Sequence, residues 1–175
     1  MKYQIGVIGS SEEKEEGLQR AKKVGKEIAR TGNVIITGGC TGLPYQAIKG
    51  AKEENGRTVG VSPAQNKTEH SEDYRYPVEN HDAMIYTGFG YKGRNVILVR
   101  SCDGLIALSG RMGTLNEMTI AYGERKPLGL LKGSSGAADE FEKLSEKFGR
   151  PGRTVVSSRK PDELVQRLLK KIGEK

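Results

Sequence analysis

Residues 105–117 have the sequence LIALSGRMGTLNE, in which an apolar run leads into a turn with two glycines and then into a helical pattern. The apolar run predicts a buried strand, and Thr114 is the predicted first residue of the helix, with Glu117 three residues further on. The first N–H groups of a helix lack partners and carry partial positive charge, while glycine lets the backbone approach a ligand closely. This stretch therefore predicts an anion site, and we expect the anion to be the phosphate of a small molecule.

Strands alternate with helices along the rest of the chain. Sequence patterns predict strands at 3–9, 33–37, 58–62, 83–86, 103–108, 127–131 and 153–156, and helices at 12–30, between 44 and 56, at 94–100, 114–122, 138–148 and from 161. This alternation predicts an α/β protein with a single doubly wound, mostly parallel, Rossmann-like sheet, with helices on both faces and one domain over 1–175. Ligands of such sheets lie at the carboxyl ends of the strands, so the glycine turns there are expected to meet at one crevice.

The turns that follow the predicted strands provide the candidate phosphate-binding residues. These are Gly9, Ser10, Gly38, Gly39, Gly42, Gly110, Arg111, Met112, Gly113 and Thr114. Each glycine has a second interpretation, since glycine in a strand-to-helix turn is often required only for tight packing. Arg111 likewise is either a phosphate clamp or a turn residue that faces solvent.

Composition limits the partners and the compartment. The chain carries a net charge of +7 with 29% charged residues, but its basic and acidic side chains are interleaved in 12–30 and 159–175, which is typical of solvated helices. We therefore expect no nucleic-acid partner. No apolar run is long enough to span a membrane, and two cysteines form no disulfide framework, so a cytoplasmic location without a membrane partner is expected. With two histidines and no cysteine–histidine cluster, no metal site is predicted.

Several polar residues have a structural interpretation beside the functional one. Thr114 and Glu117 have the spacing of a capping box, in which case Glu117→Gln would weaken the fold slightly and leave ligand affinity unchanged. Arg94 could cap a helix or pair with Asp103. The segment 64–81 is polar and without a clear period, and is either a flap beside the site or a solvated connection.

A second group of residues lies near the predicted turns. Cys40 follows two glycines and is interpreted chiefly as a small packing residue. His81 and Asp82 could contact a ligand base or simply lie at the surface. Tyr86 and Phe89 could stack on a base, although core packing is the more common role of such rings.

Four motifs occur in the same order as in a known family. They are Gly38-Gly39-x-x-Gly42-Leu43, the VGVSP segment at 59–63, the helix with Arg94, and Gly110-x-x-Gly113-Thr114-x-x-Glu117. Over nearly its whole length the chain resembles the lonely-guy cytokinin-activating phosphoribohydrolases and their relatives, the molybdenum-cofactor carrier proteins. Both belong to a group long labelled "possible lysine decarboxylase", although no lysine here is placed as an obvious Schiff base for such an enzyme.

The resemblance implies one of two functions. As a hydrolase, the protein would cleave the N-glycosidic bond of a nucleoside 5′-monophosphate to free base and ribose 5-phosphate, with Glu117 and Arg94 as catalytic residues and the turn at 110–114 holding the phosphate. As a carrier or sensor, it would bind a nucleotide-like ligand or molybdopterin without turnover. No cofactor is required in either case. Relatives form dimers or larger assemblies, so a homodimer or higher homo-oligomer is expected, with the Arg94 helix at the contact.

Two departures from the hydrolase pattern separate these functions. Arg111 stands where the hydrolases have a glycine, which is expected to cost the turn conformational freedom and to add a charge. Asn95 follows Arg94, where active hydrolases place lysine. Both departures favour the carrier, whereas the intact Glu117 favours the hydrolase.

Overall fold

The computed structural model describes residues 2–11 and 15–174. The strands are β1 (Gln4–Gly9), β2 (Val34–Thr37), β3 (Arg57–Ser62), β4 (Ala83–Tyr86), β5 (Gly104–Leu108), β6 (Leu128–Leu131) and β7 (Val155–Ser158). The helices are α1 (Glu15–Arg30), α2 (Leu43–Glu53), α3 (Gly90–Arg100), α4 (Met112–Gly123), α5 (Gly136–Phe148) and α6 (Pro161–Gly173), with a π-helix at Glu69–Asp73. In this part of the chain, every helix is too short or too polar to span a lipid bilayer.

The seven strands form one sheet in the order β4-β3-β2-β1-β5-β6-β7, and every pair in it is parallel. The predicted doubly wound α/β fold is thereby confirmed. The chain winds outward from β1 through β2 to β4, and from β5 through β6 to β7. The point at which the direction of winding changes lies between β1 and β5, and ligands of doubly wound sheets bind at such a point.

The last strand and the segment 64–81 differ from the sequence-based expectations. The last strand begins two residues later than predicted, because its pairing with β6 starts at Val155 opposite Leu128 and includes two serines that have no strand-like pattern. The segment 64–81, predicted to lack regular structure, contains the π-helix Glu69–Asp73, which tertiary packing stabilises by burying His70 completely. Residues 12–14 of the first predicted helix lie outside the described residues.

Adjacent residues of the central strands point into two separate apolar layers. In β5, Ile106 and Leu108 pack with α1, α2 and α6, whereas Leu105 and Ala107 pack with α3, α4 and α5. All five residues of β5 are buried. A strand buried on both faces needs the continuous apolar run that the sequence shows at this place.

Helices α1 and α2 approach each other through two glycines. A Cβ atom at Gly25 would lie 1.8 Å from the carbonyl oxygen of Ala47, and one at Gly50 would lie 2.1 Å from that of Lys22. Both obstacles are backbone atoms, so neither can be moved by a change of rotamer. The two helices therefore pack backbone to backbone, and this layer covers β1 and β2.

Replacing Gly25 by alanine is expected to destabilise the fold, because the new methyl group forces α1 away from α2. We expect a loss of about 1–3 kcal/mol in the free energy of unfolding, measured by urea denaturation. Gly123→Ala is the matched control, since Gly123 is also helical and has no atom within 4 Å of the added methyl group. It should be neutral or raise stability by up to about 1 kcal/mol. Equal effects of the two substitutions would contradict the close packing of α1 and α2.

Candidate functional site

A cavity of about 320 Å³ opens at the carboxyl ends of β1 and β5. Helix α4 and the residue before it contribute Arg111, Gly113, Thr114 and Glu117, while α3 contributes Tyr91, Lys92, Arg94 and Asn95. The other lining residues are Val7 to Ser11 of β1 and its turn, Gly38, Cys40 and Pro44 before and in α2, and Tyr76 of the segment 64–81. The cavity therefore lies at the point where the winding of the sheet reverses.

The structure brings most of the predicted site residues to this cavity and leaves four of them outside its lining. Those in the lining are Gly9, Ser10, Gly38, Arg94, Arg111, Gly113, Thr114 and Glu117, and those outside it are Gly39, Gly42, Gly110 and Met112. Gly42 and Gly110 have steric reasons to be glycine. A Cβ atom at Gly42 would lie 2.4 Å from the Ser10 carbonyl oxygen, and one at Gly110 would lie 2.4 Å from Thr114 Oγ1. Met112 is 73% exposed.

Helix α4 begins two residues earlier than predicted, with Arg111 at the N-cap position and no side-chain cap. The predicted capping box is therefore wrong, because Thr114 already lies within the first helical turn. Leu115 donates its N–H to the Arg111 carbonyl at 2.9 Å, so the N–H groups that precede it have no partner within the helix. Gly113 lies among these, and a Cβ atom there would meet nothing within 4 Å.

The turn before α4 is held by the start of α5. Ala137 and Ala138 donate their N–H groups to the carbonyl oxygens of Gly110 and Ser109, at 2.8 and 3.1 Å. Ser109 has a φ of 55° and Gly110 a φ of 99°, so both residues have left-handed backbone conformations that this contact supports. The first amides of α5 are thus used to position the turn, while Gly113 and Thr114 at the start of α4 line the cavity.

Thr114 and Glu117 belong to the same buried stripe of α4 as Met118 and Ala121. Glu117 is only 7% exposed, and burial raises the pKa of its carboxyl group from 4.5 to about 7, with Arg94 and Lys92 opposing the shift. The carboxyl group is therefore divided between its neutral and charged forms near pH 7.

Asn95 lies beside Glu117 on the adjacent helix. The orientation of its side-chain amide that satisfies the surrounding groups donates to Glu117 Oε1 at 3.2 Å and to the Tyr91 carbonyl oxygen at 2.9 Å. The Asn116 side chain lies 2.9 Å from the same amide. A neutral amide therefore contacts the carboxyl group at the position where active hydrolases have lysine.

Arg94 is 5% exposed and lies across the backbone of Gly38. A Cβ atom at Gly38 would be 1.7 Å from Nη1 of Arg94, so glycine is required there to admit the guanidinium group. Nη1 donates to the Val61 carbonyl at a long 3.4 Å, and the buried Nε has no hydrogen-bond partner among the described residues. The alternative pairing with Asp103 is wrong, since Asp103 Oδ2 accepts the N–H of Gln4. A buried cation with an unused donor is an unusual and costly feature.

Tyr76, Tyr91 and Lys92 line the cavity but were not identified as site residues from the sequence. Tyr91 and Lys92 lie in the first turn of α3, which begins at Gly90 and not at Arg94 as predicted, and Tyr76 follows the unpredicted π-helix. Tyr91 directly follows a glycine turn, and Tyr76 lies in the long polar segment 64–81. These positions were the only features of the sequence that could have indicated a place in the site. Cys40 also lines the cavity, and burial raises the pKa of its thiol.

The remaining residues considered from sequence have other partners. Asp82 pairs with Lys52 and accepts from the backbone of Thr58, and His81 stacks on Tyr45. Tyr86 and Phe89 are also outside the cavity lining: Tyr86 meets the ring of His70 edge-on, and Phe89 is 69% exposed.

The cavity has a basic lining and no arrangement of metal ligands. Of its described residues, Lys92, Arg94 and Arg111 are basic and Glu117 carries the one carboxyl group. Nowhere in 2–11 and 15–174 do three His, Cys, Asp or Glu side chains form a group that could hold a metal ion. The charges and the free amides of α4 together favour an anionic ligand.

Glu117→Gln should stabilise the fold at alkaline pH and leave it unchanged in acid. The folded protein holds the Glu117 proton up to about pH 7, whereas the unfolded chain releases it near 4.5, so stability falls as the pH rises through this window. Glutamine removes that penalty, which is about 3 kcal/mol above pH 7. Urea denaturation at pH 5 and pH 8 measures the difference. The exposed Glu146→Gln is the control, and the same effect at both pH values for Glu117→Gln would contradict the raised pKa.

Known proteins are similar to this chain in sequence or in structure over most of their length. An uncharacterized protein of Archaeoglobus fulgidus is 40% identical over 129 residues, which cover 74% of this chain and 80% of that protein. The structure of the molybdenum cofactor binding protein from Rippkaea orientalis has a TM-score of 0.81 and 31% identity, with 98% of both chains covered. The molybdenum cofactor carrier protein from Chlamydomonas reinhardtii has a TM-score of 0.81 and 28% identity over the whole of both chains.

These similarities confirm the resemblance to the lonely-guy and molybdenum-cofactor carrier group that the motifs indicated. The model of one family, described as SLOG cluster4, matches residues 2–165. By that match the chain belongs to the SLOG cluster4 family.

Proposed function

We propose that the protein is a carrier or sensor that binds a phosphorylated, nucleotide-like or molybdopterin ligand without turning it over. The observation that carries this proposal is the buried guanidinium group of Arg94, whose Nε has no hydrogen-bond partner in the part of the chain that the structure describes, in a cavity that the start of α4 also lines. A ligand oxyanion in the cavity would offset the cost of the buried charge.

The start of α4 is suited to hold the phosphate. Its free N–H groups and the helix dipole favour negative charge, and the open space at Gly113 lets a phosphate oxygen reach the backbone. The Thr114 side chain lines the same part of the cavity and offers a hydroxyl donor. Arg94 lies in α3. The ligand would therefore be bound by backbone amides of α4 and by a guanidinium group of α3.

The cavity also has room for more than a phosphate. Its volume of about 320 Å³ lies at the lower end of the range for small-molecule sites. The residues present fit a phosphorylated ring compound, because basic groups and amides lie at α3 and α4 while Tyr76 and Tyr91 provide aromatic surface. The similarity to proteins that bind and carry the molybdenum cofactor supports such a ligand as cargo.

Arg111 and Asn95 support binding over hydrolysis. Arg111 has a φ of −117°, an extended conformation open to any residue, so the expected loss of turn freedom relative to glycine is wrong. The residue adds a positive charge to the cavity without backbone strain. Asn95 contacts Glu117 as a neutral amide and leaves its carboxyl group with a raised pKa, so a large share of it is protonated at neutral pH.

Gly113→Ala should weaken phosphate binding without weakening the fold, because the methyl group fills the space through which a ligand reaches the amides of α4. We expect the affinity for guanosine 5′-monophosphate to fall about tenfold or more, as for the loss of charge-assisted hydrogen bonds. Isothermal titration calorimetry measures the affinity, and thermal melting reports the stability. Gly123→Ala, at the other end of the same helix, should bind as the native chain does. Unchanged affinity in Gly113→Ala would place the phosphate elsewhere.

A phosphoribohydrolase is the second candidate function, and Glu117 is the observation that favours it. A buried carboxyl group in an anion-binding cavity could take a proton from water as the water attacks C1′ of the ribose. The C1′–N bond would break, the bonding electrons would leave with the base, and the proton would pass to the base to give free base and ribose 5-phosphate. Arg94 would hold the phosphate or a ribose hydroxyl.

Incubation with a panel of nucleoside 5′-monophosphates separates the two functions. For a carrier we expect no free base by chromatography, while the bound nucleotide raises the melting temperature. Base release by the native chain that is lost in Glu117→Gln and kept in Glu146→Gln would establish the hydrolase instead. Absence of both base release and thermal stabilisation would contradict the proposed ligand class.

A further inference from the structure

Two tyrosines that line the cavity are joined through their hydroxyl groups. Tyr76 and Tyr91 both line the cavity, and their hydroxyl oxygens lie 2.8 Å apart in a hydrogen bond. Resting on the proposed function, we infer that this hydroxyl pair binds the polar edge of a planar heteroaromatic ring. The ligand would then be a ring-bearing phosphate of the purine or pterin class, and not a simple sugar phosphate.

The position of Tyr76 is set by a buried histidine. His70 is completely buried, and its Nε2 lies 3.2 Å from the carbonyl oxygen of Pro77. Because a carbonyl oxygen only accepts, Nε2 carries the hydrogen, and Nδ1 accepts from the hydroxyl of Ser62 at 2.8 Å. The Ser62 oxygen in turn accepts the N–H of Ala64 at 3.0 Å. Each of these groups has its partner inside the segment 64–81 or at the end of β3.

This anchored segment presents Tyr76 in a defined orientation. The N–H of Tyr76 donates to the His70 carbonyl at 3.0 Å, and the two rings meet edge-on with centroids 5.7 Å apart. Tyr74 stacks on the Tyr76 ring at 5.6 Å and meets Tyr91 edge-on at 5.6 Å. The ring of Tyr76 is therefore in place before a ligand arrives, which lowers the entropy lost on binding.

The hydroxyl pair has donor and acceptor capacity left for a ligand. Two phenols have two O–H hydrogens, and the bond between them uses one, so one donor and several lone pairs remain. Burial and the contact with Tyr91 hold the pKa of Tyr76 well above its usual range, so the Tyr76 hydroxyl keeps its hydrogen at neutral pH. A ring edge with an adjacent donor and acceptor matches this pair. Guanine and pterins share such an edge, in their 2-amino-4-oxopyrimidine ring.

The pair belongs to different elements from the amides of α4 that would hold the phosphate, although Tyr91 shares α3 with Arg94. Tyr91 lies at the start of α3 and Tyr76 follows the π-helix, whereas Gly113 and Thr114 lie in α4. Removal of a tyrosine hydroxyl should therefore affect recognition of the ring and leave recognition of the phosphate intact. This separation allows the inference to be tested independently of the phosphate site.

The test is isothermal titration calorimetry of guanosine 5′-monophosphate and ribose 5-phosphate with the native chain, Tyr76→Phe and Tyr91→Phe. We expect the native chain to prefer the nucleotide. Each substitution should weaken nucleotide binding about threefold to tenfold, as for the loss of a hydrogen bond, and change ribose 5-phosphate binding less than twofold. Tyr74→Phe is the control, since Tyr74 is outside the cavity lining and should bind both ligands as the native chain does.

The other outcomes are distinguishable. Equal native affinities for the two ligands, or nucleotide binding unchanged in both variants, would overturn ring recognition while the phosphate site stands. Loss of both ligands in a variant that melts as the native chain does would show that the hydroxyls serve the phosphate, and would also overturn the inference. Binding of neither ligand by the native chain would overturn the proposed function with it. Tyr91 is 48% exposed, so Tyr91→Phe keeps the test valid should Tyr76→Phe fail to fold.

Discussion

The pairing of β1 with β5 is the contact on which the rest of the structure depends. The two strands are in register from Ile5 opposite Gly104 to Gly9 opposite Leu108, and the hydrogen bonding continues beyond the strand to the N–H of Ser10. A Cβ atom at Gly9 would lie 2.4 Å from the Leu108 carbonyl oxygen, so glycine allows the strand ends to remain together. Because the two strands end side by side, the turn after β1 and the start of α4 face the same cavity.

The cavity combines two features that lower the stability of the empty protein. Arg94 is buried with a donor unused, and Glu117 is buried with its proton retained to about pH 7. Neither is required by the sheet, whose two layers are filled by apolar side chains. Groups of this kind persist where a ligand supplies the missing partners. The glycine at position 38, which admits the guanidinium group, shows that the backbone is adapted to Arg94 as well.

Much of the fold and part of the site could be predicted from local pattern. The apolar runs and glycine turns were sufficient to predict the strands and the edge of the sheet at which they end. Glu117 and Gly113 were selected from the motif after β5, whereas Arg94 was selected only through the resemblance to a known family. The start of α4 was misplaced because Gly113 is a poor helix former, and the helix is extended there by the turn that α5 supports. Tyr76 was missed because its position depends on the burial of His70, which no periodic pattern in 64–81 reveals.

The sequence by itself determined that this chain forms a doubly wound α/β sheet with a glycine-rich turn after β5, because strand burial and helix periodicity are local properties of the residues. Only the tertiary structure decided which glycines lie at the cavity and which serve packing, since Gly110 has a left-handed backbone against Thr114 whereas Gly113 is helical with open space beside it. It also decided that Arg94, Glu117 and the two tyrosines share one cavity. Contacts between residues far apart in the chain follow from strand order and helix packing, which composition and spacing do not encode.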